Sequence, residues 1–467
     1  MDEDRCLLSA GEAGRVLDRL FLLEQVIGPE DLRQVLEDTQ CFDCRRCRLT
    51  REVIFWVVLA MGILTDLPIR QVFKYARCLR HGENTPHRSS LCIARQRLGL
   101  APLRCLFERV VRLLATPQTP GAFYQGWRLM ALDGTIYNVP DSPANAAAFG
   151  RPSGGHRGDG AFPQLRKLSL VEVGTHVEVA FVAKGIKEPG SSERRLATGL
   201  FRHLRPDMLL MWDRGFFSYS LWKWIVTQGC QVLARVSSRL VLRPTRTLAD
   251  GSYLAKIYPC ESERNRDRQG IVVRVIRYTL NDPQRVGHGV EHVLLTTLLD
   301  AERYPAKELV VLYHERWEIE LVYDEQKTHQ NPWRVTKSAD LRSQTPLGVL
   351  QELYALSIGH FVVRSVMVEA AATAALDPDR LSFVGCLQIL RCRMPECPAP
   401  SSAGFAAWYE GLLWEVSRER TDDAVRRNRI NPRVVKVKMS KFKKKRPEHR
   451  PVPPLKKTFA ESVVMLC

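Results

Sequence analysis

Three acids stand where they could hold divalent metal. Asp133 closes the apolar run Arg128-Leu129-Met130-Ala131-Leu132, and Asp213 closes Met208-Leu209-Leu210-Met211-Trp212. Each reads as a short strand ending in a carboxylate. Glu320 lies in a segment from Lys307 to His329 that reads as helix and also carries Tyr313, Arg316 and Lys327. At about 100° per residue these four side chains fall within one sector of about 60°. Such a stripe of aromatic, cation, acid and cation suits a metal-bound phosphate better than a hydrophobic core. An i,i+4 pair of Arg316 with Glu320 on a solvated helix is the plainer alternative. It loses weight because two acid-terminated strands precede the helix.

That set fits phosphoryl transfer on a DNA backbone, in which two divalent ions about 3.5–4 Å apart serve the attacking and leaving oxygens. Mg²⁺ takes oxygen ligands and keeps waters, so three carboxylates and a substrate phosphate suffice. Asp133 is expected to bridge the ions, with Asp213 on one and Glu320 on the other. Arg316 and Lys327 are expected to hold DNA phosphates, and Tyr313 to donate a hydrogen bond to one. Glu315, Glu318 and Glu325 point away from the stripe on the same wheel. Asp141 follows Pro140 in a loop, and Asp207 precedes its strand. His156 and His176 are read as structural or phosphate-facing rather than as bases.

The elements around these acids are α/β. Two strands through Leu168–Val173 and His176–Val182 read as a hairpin turning at Gly174-Thr175, and helices are expected over Ser191–His203 and Tyr219–Gln228. Val232–Leu298 is broken into short β-rich pieces and reads as an all-β insertion. The first hundred-odd residues read as helical. There, Arg88, Arg95 and Arg97 charge a helix that Ser89 or Ser90 would cap and Gly99 would end, giving a helix-turn-helix outline suited to DNA. After Glu419 the chain turns strongly basic, and Lys443, Lys444 and Lys445 are expected to meet phosphates from an extended arm.

Composition agrees. The 467 residues carry 69 Lys+Arg against 51 Asp+Glu, a formal net charge of +18, which favours a polyanionic partner. A membrane is the poorer choice: Val53–Leu64 falls short of the roughly 20 residues needed to span, and Leu347–Val368 is interrupted by Glu352, His360 and Arg364. The acidic start lacks the basic opening of a secretion signal, so a soluble, cytoplasmic chain is expected, associated with the nucleoid when on DNA. Thirteen cysteines without such a signal speak against a disulfide framework. Cys41, Cys44 and Cys47 form a C-x-x-C-x-x-C run, but no fourth ligand at zinc spacing completes it.

Taken together, the spacing Tyr313-x2-Arg316-x3-Glu320-x6-Lys327 resembles the Y-R-E-K signature of bacterial insertion-sequence transposases of the insertion element four family. The stretches Leu132-Asp133-Gly134-Thr135 and Asp213-Arg214-Gly215-Phe216-Phe217 are similar to its two aspartate motifs, and the likeness extends from the helical start to the basic tail. The resemblance implies a ribonuclease-H-like catalytic domain, Mg²⁺ or Mn²⁺ as two ions, and cut-and-paste transposition. It also implies a dimer on paired element ends, with a hairpin intermediate. Relatives stack a flipped base on a tryptophan of the β insertion; between Trp224 and Trp317 there is none, and Tyr253, Tyr258 and Tyr278 leave that role unassigned.

The expected organisation is an N-terminal helical DNA-binding domain over 1–122 and a ribonuclease-H-like domain over 123–338, with its β insertion at about 231–303. A helical region over 339–425 and a basic tail over 426–467 complete it. A catalytically inactive DNA-binding regulator is the alternative function, opposed by the presence of all three acids. A junction resolvase would be much shorter and would lack the insertion.

Overall fold

The structure is a computed structural model, and it describes residues 17, 19–43, 49–77, 84–153, 158–285, 287–331, 339–421, 455 and 457–466. Its main elements, in order, are α1 (Pro29–Asp38), α2 (Arg51–Ile63), α3 (Ile69–Ala76), α4 (Arg88–Leu98), α5 (Ala101–Val110), β1 (Trp127–Asn138), α6 (Pro143–Phe149), β2 (Gln164–Glu172), β3 (Val177–Gly185), α7 (Glu193–Leu200), β4 (Met208–Trp212), α8 (Tyr219–Thr227) and β5 (Gln231–Val236). There follow β6 (Tyr253–Ile257), β7 (Ile271–Leu280), β8 (His292–Thr296), α9 (Ala306–His314), α10 (Glu318–Asp324), α11 (Pro346–Thr373), α12 (Phe383–Arg393), α13 (Phe405–Arg418) and β9 (Val463–Met465).

These elements form two compact units that do not follow chain order. The first contains 1–123, 134–200 and 319–421; the second contains 124–133, 201–318 and 422–467. Strand β1 contributes to both, with Asp133 closing its part of the second unit and Gly134 opening its part of the first.

In the first unit, N-terminal and C-terminal helices share one core. Thr50 caps α2 by accepting a hydrogen bond from the Val53 amide, and every residue from Val53 to Ile63 is buried. Helix α11, capped by Thr345 with Pro346 at its first turn, crosses α2 so closely that a Cβ on Gly62 would lie 1.9 Å from the Ala355 carbonyl. Only glycine fits there. Helix α11 is long and apolar enough to span a bilayer, but 78% of its most apolar stretch is buried inside the protein, which explains its hydropathy by packing. Strands run in the order β3-β2-β1, with β2 and β3 antiparallel. The positive φ in their turn falls on His176 (58°) rather than on Gly174. Helix α4 ends at Gly99 as expected, but its cap is His87, whose Nδ1 accepts the Ser89 amide.

The second unit is a continuous sheet, β1-β4-β5-β8-β7-β6. Strand β4 is buried along its length and lies parallel between β1 and β5, the environment that selects an uninterrupted apolar strand. Strand β8 pairs antiparallel with β5, so the β-rich stretch extends this sheet rather than forming a separate all-β body. A short helix, Glu261–Asn265, interrupts it. At the end of the chain, β9 pairs antiparallel with Tyr278–Leu280 of β7. A one-turn helix, Phe459–Ser462, leads into it with a full capping box from Thr458 and Glu461. Lys443, Lys444 and Lys445, His156, and Cys44 and Cys47 lie outside the described residues.

Candidate active site

The second unit sets Asp133 beside Asp213. Strands β1 and β4 pair in parallel as far as Leu132 and Trp212, so the two acids are the next residues on neighbouring strands. Adjacent strands lie about 4.8 Å apart, and in-register residues share a face. The expectation that the first strand ends at Asp133 needs correcting, because β1 continues to Asn138; what stops at the acid is its pairing with β4. Asp213 does leave its strand, and its Oδ1 accepts the Gly215 amide at 2.8 Å, capping the one-turn helix Arg214–Phe216.

Arg316 and Tyr313 close on this pair. Arg316 Nη1 donates to Asp133 Oδ2 at 3.0 Å. Burial alone would depress the guanidinium's pKa, but Tyr313, Asp133 and Asp213 together raise it. Its Nε is buried with no hydrogen-bond partner. The Tyr313 hydroxyl donates to the Trp212 carbonyl at 3.0 Å, and burial pushes its pKa up. Tyr313 therefore ties the helix to β4 just before Asp213, where a bond to DNA phosphate was expected. Carboxylates that follow the last paired residues of two adjacent strands form a hard oxygen donor set suited to a divalent cation.

In the first unit, the Glu193 carboxylate lies against Gly134: a Cβ there would lie 2.7 Å from Glu193 Oε1. Glu320 is half-buried on α10. The helix through 306–329 is not uniform as the wheel assumed. It narrows to 3₁₀ at Glu315–Trp317 and widens to a π-helical turn at Glu325–His329, which rotates Lys327 relative to an ideal α-helix. Lys327 Nζ donates to the Ile136 carbonyl at 2.5 Å and to Thr135 Oγ1 at 3.3 Å, lies 3.7 Å from Asp340, and sits 4.7 Å over the Tyr137 ring.

The rival acids are otherwise engaged. Glu325 is buried against His360 (2.8 Å) and Arg364 (3.0 Å); burial would raise its pKa, but Arg364, His176 and His360 hold it well below the usual range. His176 accepts from Arg364 at 2.6 Å and faces Asp379 at 3.2 Å. It is structural. Asp141 is exposed and pairs with Arg151, and Asp207 lies 3.8 Å from Arg128. On α4, Arg88 and Arg97 are exposed, but Arg95 donates to Gln351 (3.0 Å) and to the Gly348 carbonyl (2.6 Å). Arg95 is thus spent on helix packing and leaves the expected DNA face. Of the three tyrosines weighed for stacking, Tyr278 is buried and Tyr258 donates to Asp267 at 2.6 Å.

Sequence reading missed the buried polar cluster beneath the π-helical turn. Lys167 and Glu178 are a fully buried ion pair (2.8 Å) on β2 and β3, joined to Gln326. The available signal was two opposite charges on strands otherwise apolar on their inner face.

A profile described as insertion element 4 transposase N-terminal matches residues 17–108, and one described as transposase DDE domain matches residues 125–345. The chain belongs to the insertion element 4 family of DDE transposases. It is 28% identical over 438 residues to the transposase InsG for insertion sequence element IS4 of Escherichia coli (strain K12), covering 91% of this chain and 93% of that one. A second protein of that organism, InsZ, is 26% identical over 186 residues, 40% of this chain and 60% of its own length. Among solved structures, the piggyBac transposase synaptic complex with hairpin DNA aligns over 88% of each chain at 12% identity and a TM-score of 0.40. The function of this transposase is DNA transposition, and DNA is its partner.

Proposed function

We propose that the transposase acts by cut-and-paste, cleaving DNA at the element ends and joining the freed 3′-hydroxyl to target DNA on a ribonuclease-H-like sheet. The observation that carries this is the placement of Asp133 and Asp213 at matching positions of adjacent parallel strands, with Arg316 on Asp133. Glu320 supplies the third carboxylate, four residues beyond Arg316 in the family signature. This oxygen-only set fits two Mg²⁺ or Mn²⁺ ions, which would supply Lewis-acid activation of the attacking oxygen and stabilise the leaving one.

The chain's own groups do the rest. Arg316, which holds Asp133 through Nη1 and has an unsatisfied Nε, donates to a substrate phosphate. Tyr313 orients the helix against β4, and Lys327 sits over β1 as the second phosphate cation. Arg88 and Arg97 meet DNA along α4, and Lys443, Lys444 and Lys445 add phosphate contacts. The transposase works as a homodimer in the cytoplasm on paired element ends, with 1–122 as the DNA-binding region and 123–338 as the catalytic one.

Strand transfer tests this. The chain is incubated with Mg²⁺, a target plasmid and the DNA that flanks its own gene, using ends that carry either a 3′-hydroxyl or a 3′-deoxy terminus. Joined products with the hydroxyl and none with the deoxy end support the reading. Hydrolysis without joining under either Mg²⁺ or Mn²⁺ refutes it.

A further inference from the structure

Among the described residues the transposase has a single π-helical turn, Glu325–His329. Turns of this kind are rare and concentrate at functional sites. Three consecutive side chains leave it for three separate anchors. Glu325 enters the cluster of His360 and Arg364 on α11. Gln326 meets the Lys167–Glu178 pair: its Oε1 accepts from Lys167 at 3.0 Å, and its Nε2 donates to Glu178 at 3.0 Å. Lys327 reaches back to the Ile136 carbonyl and Thr135 on β1.

The Lys167–Glu178 pair lies at the centre of this arrangement. Lys167 Nζ also meets Ser357 Oγ on α11 (2.9 Å), and Ser169 donates to Glu178 at 2.5 Å. Tyr137, four residues after Asp133 on β1, donates to Gln326 at 3.3 Å. Its ring faces two ammonium groups, Lys327 at 4.7 Å and Lys167 at 5.9 Å. Stability alone is a poor reason for such a pair, because replacing a buried ion pair with apolar residues of similar volume is often neutral or stabilising. A satisfied buried network does restrict how its members can pack. Here the member on the helix is the residue directly before Lys327.

We infer that Lys167 and Glu178 are positioning residues for phosphoryl transfer, acting through Gln326 to hold the π-helical turn in the register from which Lys327 lies over β1. They touch no substrate. Their effect reaches the reaction through Lys327, so the inference rests on the reading of Lys327 as a phosphate cation.

The test uses the full chain with its own element-end DNA and a double-mutant cycle. The variants are Lys167→Met/Glu178→Met together, Lys327→Ala, and the triple combination, each measured for melting temperature, cleavage rate and the salt slope of DNA binding. Lys327→Ala should lower the salt slope by about 1. The Lys167→Met/Glu178→Met variant should melt no lower than the parent, yet lose the same slope. Its cleavage should fall by on the order of tenfold to a hundredfold, the range expected of a misplaced catalytic cation. Adding Lys327→Ala to it should cost little more.

A purely structural role would instead give a loss that multiplies that of Lys327→Ala, or no change in salt slope; either overturns the proposal. If Lys327→Ala itself changes neither slope nor cleavage, the reading of Lys327 has failed, and the positioning role falls with it. Should the double variant not fold, Gln326→Met leaves the ion pair in place, removes its link to the turn, and should reproduce the same non-additive loss.

Discussion

The two ends of the signature helix are held in different ways. At Tyr313 and Arg316 the contacts are few and reach straight to the candidate metal site: one hydroxyl on the Trp212 carbonyl and one guanidinium on Asp133, whose side chain is 22% exposed. At Glu325–Lys327 the contacts form dense buried networks, with Lys167, Glu178 and His360 almost wholly removed from solvent. The second end fixes geometry in advance, as suits a side chain that must act without reorganisation.

Stranding the Glu325 charge should therefore damage the fold, whereas removing the cation on Asp133 should damage the reaction. Arg364→Ala strands the Glu325 carboxylate, and leaving one member of a buried pair uncompensated costs about 3–5 kcal/mol, to be read from urea unfolding. Arg316→Ala should cost less than Arg364→Ala, since its partner Asp133 keeps access to water, yet it should reduce cleavage strongly. Equal destabilisation by the two substitutions would erase the contrast.

The buried end should also carry an acid signature. Glu325 ionises more readily in the fold than in the unfolded chain, so its contribution is complete above the unfolded carboxylate value of about 4.3 and is lost as the pH falls below it. Glu325→Gln should flatten that part of the stability–pH curve, and a curve of unchanged shape would contradict the assignment. Smallest of all, Tyr313→Phe should cost about 1 kcal/mol for the lost bond to the Trp212 carbonyl. Its effect on DNA affinity should be slight, because the hydroxyl faces protein rather than phosphate.

What could be read in the sequence follows from how local each signal is. Asp133 and Asp213 were legible because an apolar run ended by an acid is a local pattern, and the two runs pair as adjacent parallel strands. The Y-R-E-K spacing was legible too, although its regular wheel was not what the chain builds. The side chains of the π-helical turn meet anchors such as Lys167 and Arg364, more than 35 residues away along the chain. Arg95 could not be told from Arg88 and Arg97, because the carbonyl that claims it belongs to α11, over 250 residues later. The β-rich stretch was legible as an insertion, but strand pieces carry no record of their partners; pairing of β8 with β5 makes it an extension of the same sheet. Strand β9 was masked by the basic composition preceding it.

The account depends most directly on Asp133, Asp213 and Glu320 acting together on divalent metal. Each should be changed to alanine and assayed with element-end DNA for Mg²⁺- and Mn²⁺-dependent nicking and, in parallel, for binding. The predicted result is that all three variants bind the ends and none cuts them. Normal cutting by the three variants would contradict the assignment of the metal site.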